Sequence, residues 1–292
     1  MRALRARGFT LVELLVVIVL MGVITAAIYQ SIGSTQRITG TQVQRLHVQQ
    51  STRAAALYLT YALRELDASD GDIQSASATK LRIRGMRWMG VLCTAPVGIV
   101  GGVGFVLRDS LQFGVRAPSG TLDSILLFHD GDPANRSDDY WLVGGLLASG
   151  AGTCPDGTPG TVLNVTITAA SGGVDSALAG VFAGAPIRGF QAEEIQLYQG
   201  AGGDYWLARR AADRGGGWSD MEELVGPLTA NGLQFAYYDS TGAAATTVLD
   251  VASVGLVVRG RSPRTAHLPA GGIGYVRDSV ITRVTLRNNQ GF

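Results

Sequence analysis

The sequence predicts an α+β protein in which one long N-terminal helix packs on an antiparallel β-sheet. Three observations predict it. An apolar run of about twenty residues opens at Phe9 and passes directly into a stretch with helical periodicity. Beyond residue 72 the apolar residues recur every second position, as in half-buried strands. Glycine, at 40 of 292 residues, is about twice its usual share and falls between short apolar runs, a composition of many turns.

The chain opens with a short basic leader, residues 1–8, carrying Arg2, Arg5 and Arg7 and ending in Gly8. Residues 9 to about 66 read as one helix, a rod of roughly 85 Å at about 1.5 Å per residue. Its first half, residues 9–32, is apolar all round, as a bilayer span requires. One carboxylate interrupts it, Glu13, and because an ionised group deep in a bilayer costs several kcal/mol, an acid here points to a task. Gly22 is a point of local weakness in this half, since glycine costs about 1 kcal/mol relative to alanine in a helix interior. The second half, residues 33–68, is amphipathic. Val43, Leu46, Ala54, Leu57 and Tyr61 form one stripe, and Leu59, Leu63 and Leu66 a neighbouring one. Asp67-Ala68-Ser69-Asp70-Gly71-Asp72 ends the rod with turn chemistry.

The body, residues 69–292, alternates. Lys80–Arg84, Ser124–Phe128, Thr161–Ile167, Glu194–Tyr198, Asp204–Ala208, Leu233–Tyr238, Val254–Val258 and Val280–Leu286 read as strands. Short strands separated by Gly-rich turns imply antiparallel pairing, not βαβ units. Gly101-Gly102-Val103-Gly104 lacks the third glycine of a dinucleotide loop and reads as a turn.

Charge is sparse and Lys80 is the only lysine. Net charge is +1; without the three leader arginines, 21 basic residues face 23 acidic ones. That balance lacks the basic footprint of a phosphate-tracking protein. The arginines before the span should stay cytoplasmic, which sends the body across the membrane. Cys93 and Cys154 then share a compartment where disulfides persist, and a Cys93–Cys154 bond is expected; two unpaired buried thiols are the alternative.

Enzymatic signatures are absent: no Walker loop, no H-E-x-x-H and no G-x-S-x-G. His47, His129 and His267 are far apart in the chain. The oxygen-rich run from Asp130 to Asp139 offers ligands of the type calcium takes, but lacks EF-hand spacing, and an Asp/Gly/Pro connection explains it equally. No cofactor, metal site or catalytic residue is expected.

The N-terminal stretch Arg7-Gly8-Phe9-Thr10-Leu11-Val12-Glu13-Leu14-Leu15-Val16 resembles the processing site of type IV pilins and type II secretion pseudopilins. The resemblance implies cleavage between Gly8 and Phe9 by prepilin peptidase, N-methylation of Phe9, and a Glu13 that neutralises the terminal amine of a neighbouring subunit. The C-terminal third, from Met221 through Val254–Ser262 to Arg277–Asn289, is similar to PilW-type minor pilins and the related GspJ-type minor pseudopilins. The fold implied is pilin-like, and the function a minor pilin that primes or caps a type IV pilus. Implied partners are other minor and major pilins, prepilin peptidase and an inner-membrane assembly platform. The implied location is the inner membrane, with the body in the periplasm and later at the pilus surface. A minor pseudopilin of a type II secretion system is the alternative. A tip-exposed module for DNA or surfaces is a second, with Trp141, Trp206, Trp218, Arg209, Arg210 and Arg214 as its contacts.

Overall fold

A computed structural model describes residues 10–132, 134–135, 138–168, 177–268 and 271–286. Its long helix is α1 (Leu11–Arg64), followed by β1 (Ile73–Ala76), β2 (Lys80–Val91), β3 (Val97–Ile99), β4 (Gly102–Arg108) and β5 (Phe113–Gly114). Then come β6 (Ser124–His129), β7 (Tyr140–Thr153), β8 (Pro159–Ile167) and β9 (Pro186–Gln199). The chain closes with β10 (Tyr205–Ala211), β11 (Glu222–Tyr238), β12 (Ser253–His267) and β13 (Ile273–Thr285). All the pairings between these strands are antiparallel.

Each strand read from the sequence falls on an observed strand, but several observed ones were not legible. The expected turn at Gly101–Gly104 is half strand: Gly101 has φ +80, while Gly102 to Gly104 run into β4 beside β8. A Cβ at Gly102 would strike the Val165 carbonyl, so glycine here marks a close backbone approach inside a strand. β7 escaped the period-two pattern for a related reason, because Gly144, Gly145, Gly150 and Gly152 interrupt it. At Gly22 the helix continues unbroken, with the Thr25 hydroxyl donating to the Met21 carbonyl at 2.7 Å.

The sheet runs β13-β12-β11-β10-β9-β6-β7-β8-β4-β3, and β9 is its fork. One edge of β9 carries β2 from Pro186 to Gln196. The other edge is divided: Ile187–Phe190 pair with β6, and Glu193–Gln199 with β10. Two hydrophobic cores result. One joins α1 to the β9–β13 wing through Leu59, Leu63, Ile195, Leu207, Leu233 and Leu256. The other, beyond the fork, gathers Trp88, Phe105, Leu107, Leu127, Leu146 and Leu163. Trp88 fits flat between strands because its neighbours across the sheet, Gly114 and Gly189, have no Cβ.

The upper half of α1 presses on β11, β12 and β13 with its small residues. Val48, Ser51, Thr52, Ala55 and Ala56 are buried there. The approach is close at Gly260 in β12, where a Cβ would meet Thr52 Cγ2 at 2.6 Å and Val48 Cγ1 at 3.3 Å. Nearer the tip of the β12–β13 hairpin, Arg264 N–H donates to Gln44 Oε1 at 3.4 Å and the Thr41 hydroxyl to the His267 carbonyl at 3.2 Å. Full burial of Leu59 and Leu63 adds about 1.5–3 kcal/mol each.

Cys93 and Cys154 are joined by a disulfide. Cys93 follows β2 and donates its N–H to the Val106 carbonyl at 2.8 Å; Cys154 follows β7 in a tight turn that needs Gly157 at φ +81. The bond therefore ties the end of β2 to the turn between β7 and β8, beside the second core.

Two outcomes follow from this packing. Gly260→Val should destabilise the detergent-solubilised protein by about 1–3 kcal/mol in thermal unfolding, because backbone and helix cannot both yield. Replacing both cysteines with serine should cost about 4 kcal/mol by the chain-entropy argument for residues 61 positions apart, read as a lower denaturation midpoint.

Candidate functional site

Gly8 and Phe9, the residues expected to flank the cleavage position, lie outside the described residues. The helix begins at Leu11. Thr10 is extended and caps the first turn, its hydroxyl accepting the Glu13 N–H at 3.3 Å. Glu13 stands in that first turn, where the helix dipole favours a negative charge. It is exposed in the isolated chain, like every residue from Thr10 to Ile32. This half is long and apolar enough to cross a membrane and none of it is buried against the body.

Higher up, the two sequence-predicted stripes part company. Leu59, Leu63 and Leu66 face the sheet. The other stripe faces away: Val43, Leu46, Leu57 and Tyr61 are each more than half exposed, and Ala54 is exposed with them. Sequence reasoning found both stripes but not which one was the core. The buried face turned out to be richer in Ala, Ser and Thr, because close approach to Gly260 demands small side chains. Exposed apolar side chains thus recur above the span, at Ile38 and along this stripe, and with the span they amount to far more than a soluble monomer exposes.

The candidate contacts for DNA or surfaces are spread through the body and engaged within it. Arg209 pairs with Glu222 at 2.9 Å and Glu193 at 3.6 Å. Arg210 pairs with Glu194 at 2.6 Å. Trp218 lies between Arg82 and Arg210, each 4.8 Å from its ring. Arg214 donates to the Gly120 carbonyl at 3.0 Å, and Arg188 covers Trp141 at 4.4 Å. Trp206 packs over Gly226. The structure does not bring these six residues to one surface.

A polar chain that the sequence did not reveal crosses the fork instead. Asp123 is fully buried; it accepts Trp88 Nε1–H and Ser119 N–H, each at 2.8 Å, and pairs with Arg116. Arg116 reaches Gln191 at 3.2 Å, Arg87 reaches Gln191 at 2.9 Å, and Arg87 and Arg209 close on Glu193. The shift in register between Met86 and Trp88 turns Arg87 onto this face, and Gly85 leaves room for the Glu193 carboxylate. Tyr58 of α1 meets Arg209 at 3.5 Å, and burial followed by the Glu193 charge raises its phenol above the usual range. The visible signal was Glu193-Glu194, the adjacent acids of β9, which pattern reading assigns to solvent.

The Asp130–Asp139 run folds on itself. Asp132 N–H donates to Asp138 Oδ2 at 2.9 Å and Ala134 N–H to Asp132 Oδ1 at 3.0 Å. Residues 133, 136 and 137 lie outside the described ones, and among the described residues no three His, Cys, Asp or Glu side chains gather as metal ligands. His129 stacks on Tyr140 at 4.3 Å, and His47 is exposed on α1.

At the upper end of α1, Asp67, Asp70 and Asp72 crowd together around Arg84. Asp67 Oδ1 accepts from Ser69 N–H at 2.9 Å, and Asp72 Oδ2 from Asp67 N–H at 2.9 Å. Desolvation raises the carboxyls of both Asp70 and Asp72; for Asp70 the charges of Asp67 and Asp72 add to it.

Comparison with known proteins bears on one end of the chain. Residues 4–29 match the prokaryotic N-terminal methylation motif. No curated protein and no solved structure matches the chain.

The acid cluster makes a pH prediction. A carboxyl raised by folding favours the native state most below its unfolded value, and that advantage is lost as pH rises through the folded value. Ionised Asp70 is therefore unfavourable at neutral pH, and it gives no side-chain hydrogen bond that Asn would forfeit. Asp70→Asn should raise Tm slightly at pH 7 and leave it unchanged near pH 3, where the native and unfolded carboxyls are both protonated; equal gains at both pH values would refute the assignment.

Proposed function

We propose that this chain, whose N-terminus is that of the type IV pilin family, is a minor pilin that primes or caps a type IV pilus. The observation that carries the reading is the division of α1. One face of its upper half is buried on the sheet, while the opposite face carries an exposed apolar stripe among polar residues and the lower half is apolar and bare. Laid against other such helices in a filament, that surface is removed from water and lipid, at about 25 cal/mol for each Å² taken from water. Membrane anchoring by the apolar half is the state that precedes this packing.

The rest of the reading concerns processing and place. Cleavage between Gly8 and Phe9 creates an ammonium on Phe9, which is then methylated. In a filament, Glu13 of one subunit meets that ammonium of its neighbour, so a buried carboxylate gains its partner and axial register is selected. The order of β11, β12 and β13 supports the PilW type. The body is bulky for a densely repeated subunit, which supports a place at the end of the filament among other minor and major pilins. Prepilin peptidase and an inner-membrane assembly platform are the partners that processing and extension require.

Intact-mass measurement on protein from its native host should show loss of residues 1–8 and a methylated Phe9. A retained leader overturns the reading. Glu13→Ala should sharply reduce incorporation at equal protein levels, because removing one member of a buried ion pair costs about 3–5 kcal/mol. Pilus counts and the partners co-purified from membranes report it. Unchanged counts and partners would make Glu13 a tolerated interfacial acid. Recovery of a secretion apparatus with the wild type would assign the chain to a pseudopilus.

A further inference from the structure

The tip of the β12–β13 hairpin lies against the helix at the level nearest the span, and its chemistry is that of a membrane surface binder. The contacts Gln44–Arg264 and Thr41–His267 show that β12 descends α1 toward the apolar half as it runs to the tip. Thr41 stands roughly 14 Å above Ile32 along the axis, at about 1.5 Å per residue. Beyond His267 the hairpin continues to Leu268, whose N–H meets the Gly272 carbonyl at 3.0 Å, before returning at Ile273. The headgroup layer extends about 5–7 Å past the hydrocarbon, which brings its outer edge to about the level of Arg37, and a tilt of about 20° lowers a hairpin on that side of the rod toward it.

Charge and polarity agree with that position. Between Glu13 and Glu65 the sequence has no Asp or Glu, and there is none from Val251 to Arg277. Arg37 of α1 and Arg264 of the hairpin form no side-chain hydrogen bond or ion pair among the described residues. Asp204, the acid that approaches this hairpin, is taken by Arg261. Ile273 is 70% exposed and Tyr275, whose ring lies under the Arg261 guanidinium at 4.4 Å, is 41% exposed, an aliphatic and an aromatic side chain at the end facing the span. A cationic rim around an exposed aliphatic and aromatic tip complements anionic headgroups, and aromatic side chains favour that layer.

We infer that the hairpin tip, with Arg37, Arg264, Ile273 and Tyr275, docks on anionic phospholipid headgroups while the subunit waits in the membrane. The docked tip gives the body a fixed orientation before assembly, and extraction into a filament releases it. The inference rests on the apolar half being inserted.

The test uses the full-length protein in nanodiscs of phosphatidylcholine, with and without phosphatidylglycerol, followed by hydrogen exchange of residues 262–277. Each arginine held near an anionic surface multiplies occupancy about fivefold. Exchange at the tip should slow by about that factor or more with phosphatidylglycerol, and high salt should erase the difference. Arg37→Gln with Arg264→Gln should abolish it while β9 amides exchange as in the wild type. If the variant disturbs β9, the salt response of the wild type decides. Equal exchange in both lipids overturns the inference, as does slowing that follows the number of protein copies per disc, which marks a neighbouring subunit as the occupant. Failure to enter nanodiscs at all overturns the anchor and the inference with it.

Discussion

Everything in this body hangs on β9 having two neighbours along one edge. A strand that pairs first with β6 and then with β10 must hold two wings of sheet at one line, and each wing needs its own core. Where the cores meet, apolar side chains from neither wing can fill the seam. The Asp123, Gln191 and Glu193 groups fill it, each with a cation or N–H directed at it. Buried charge of this kind is tolerable only when fully partnered, and its geometry admits one relative arrangement of the wings. Gly85, Gly114 and Gly189 belong to the same constraint, as the places where Glu193 and Trp88 need space.

How much of this was legible follows from the kind of signal each part leaves. The helix was readable end to end because bilayer length and helical period are properties of the chain itself. Strands such as β8, β12 and β13 were readable because one face is core and the other solvent. β4 and β7 were not, since their glycines, of which Gly102 and Gly144 serve close backbone contacts, erase the alternation. The fork was invisible for a deeper reason: β9 looks like any strand, and its divided edge exists only through partners that lie far away in sequence. The polar chain was hidden for the same cause, with Asp123 in a turn and Arg87 displaced by a change of register.

The processing segment is the reverse case. Gly8, Phe9 and Glu13 were conspicuous in sequence, yet the fold adds little to them, because the chemistry proposed for them involves an enzyme and neighbouring chains. What the fold does add is an exposed apolar stripe above them. The stripe through Val43, Leu46, Leu57 and Tyr61 has no place in the protein's own core, so its conformation is settled but its environment is left to other molecules.

The way α1 lies on the sheet has a mechanical consequence. A force applied along the rod, as when a subunit is drawn out of a lipid layer, does not peel the helix away residue by residue. It loads Val48, Thr52, Ala55, Leu59 and Leu63 in shear against β11–β13, all together. Close-packed interiors transmit strain instead of yielding gradually, so such a contact fails as a whole or holds as a whole. The notch at Gly260, where Thr52 and Val48 sit against bare backbone, acts as a detent against sliding. The body is thus carried by its helix as a rigid load, suited to being pulled.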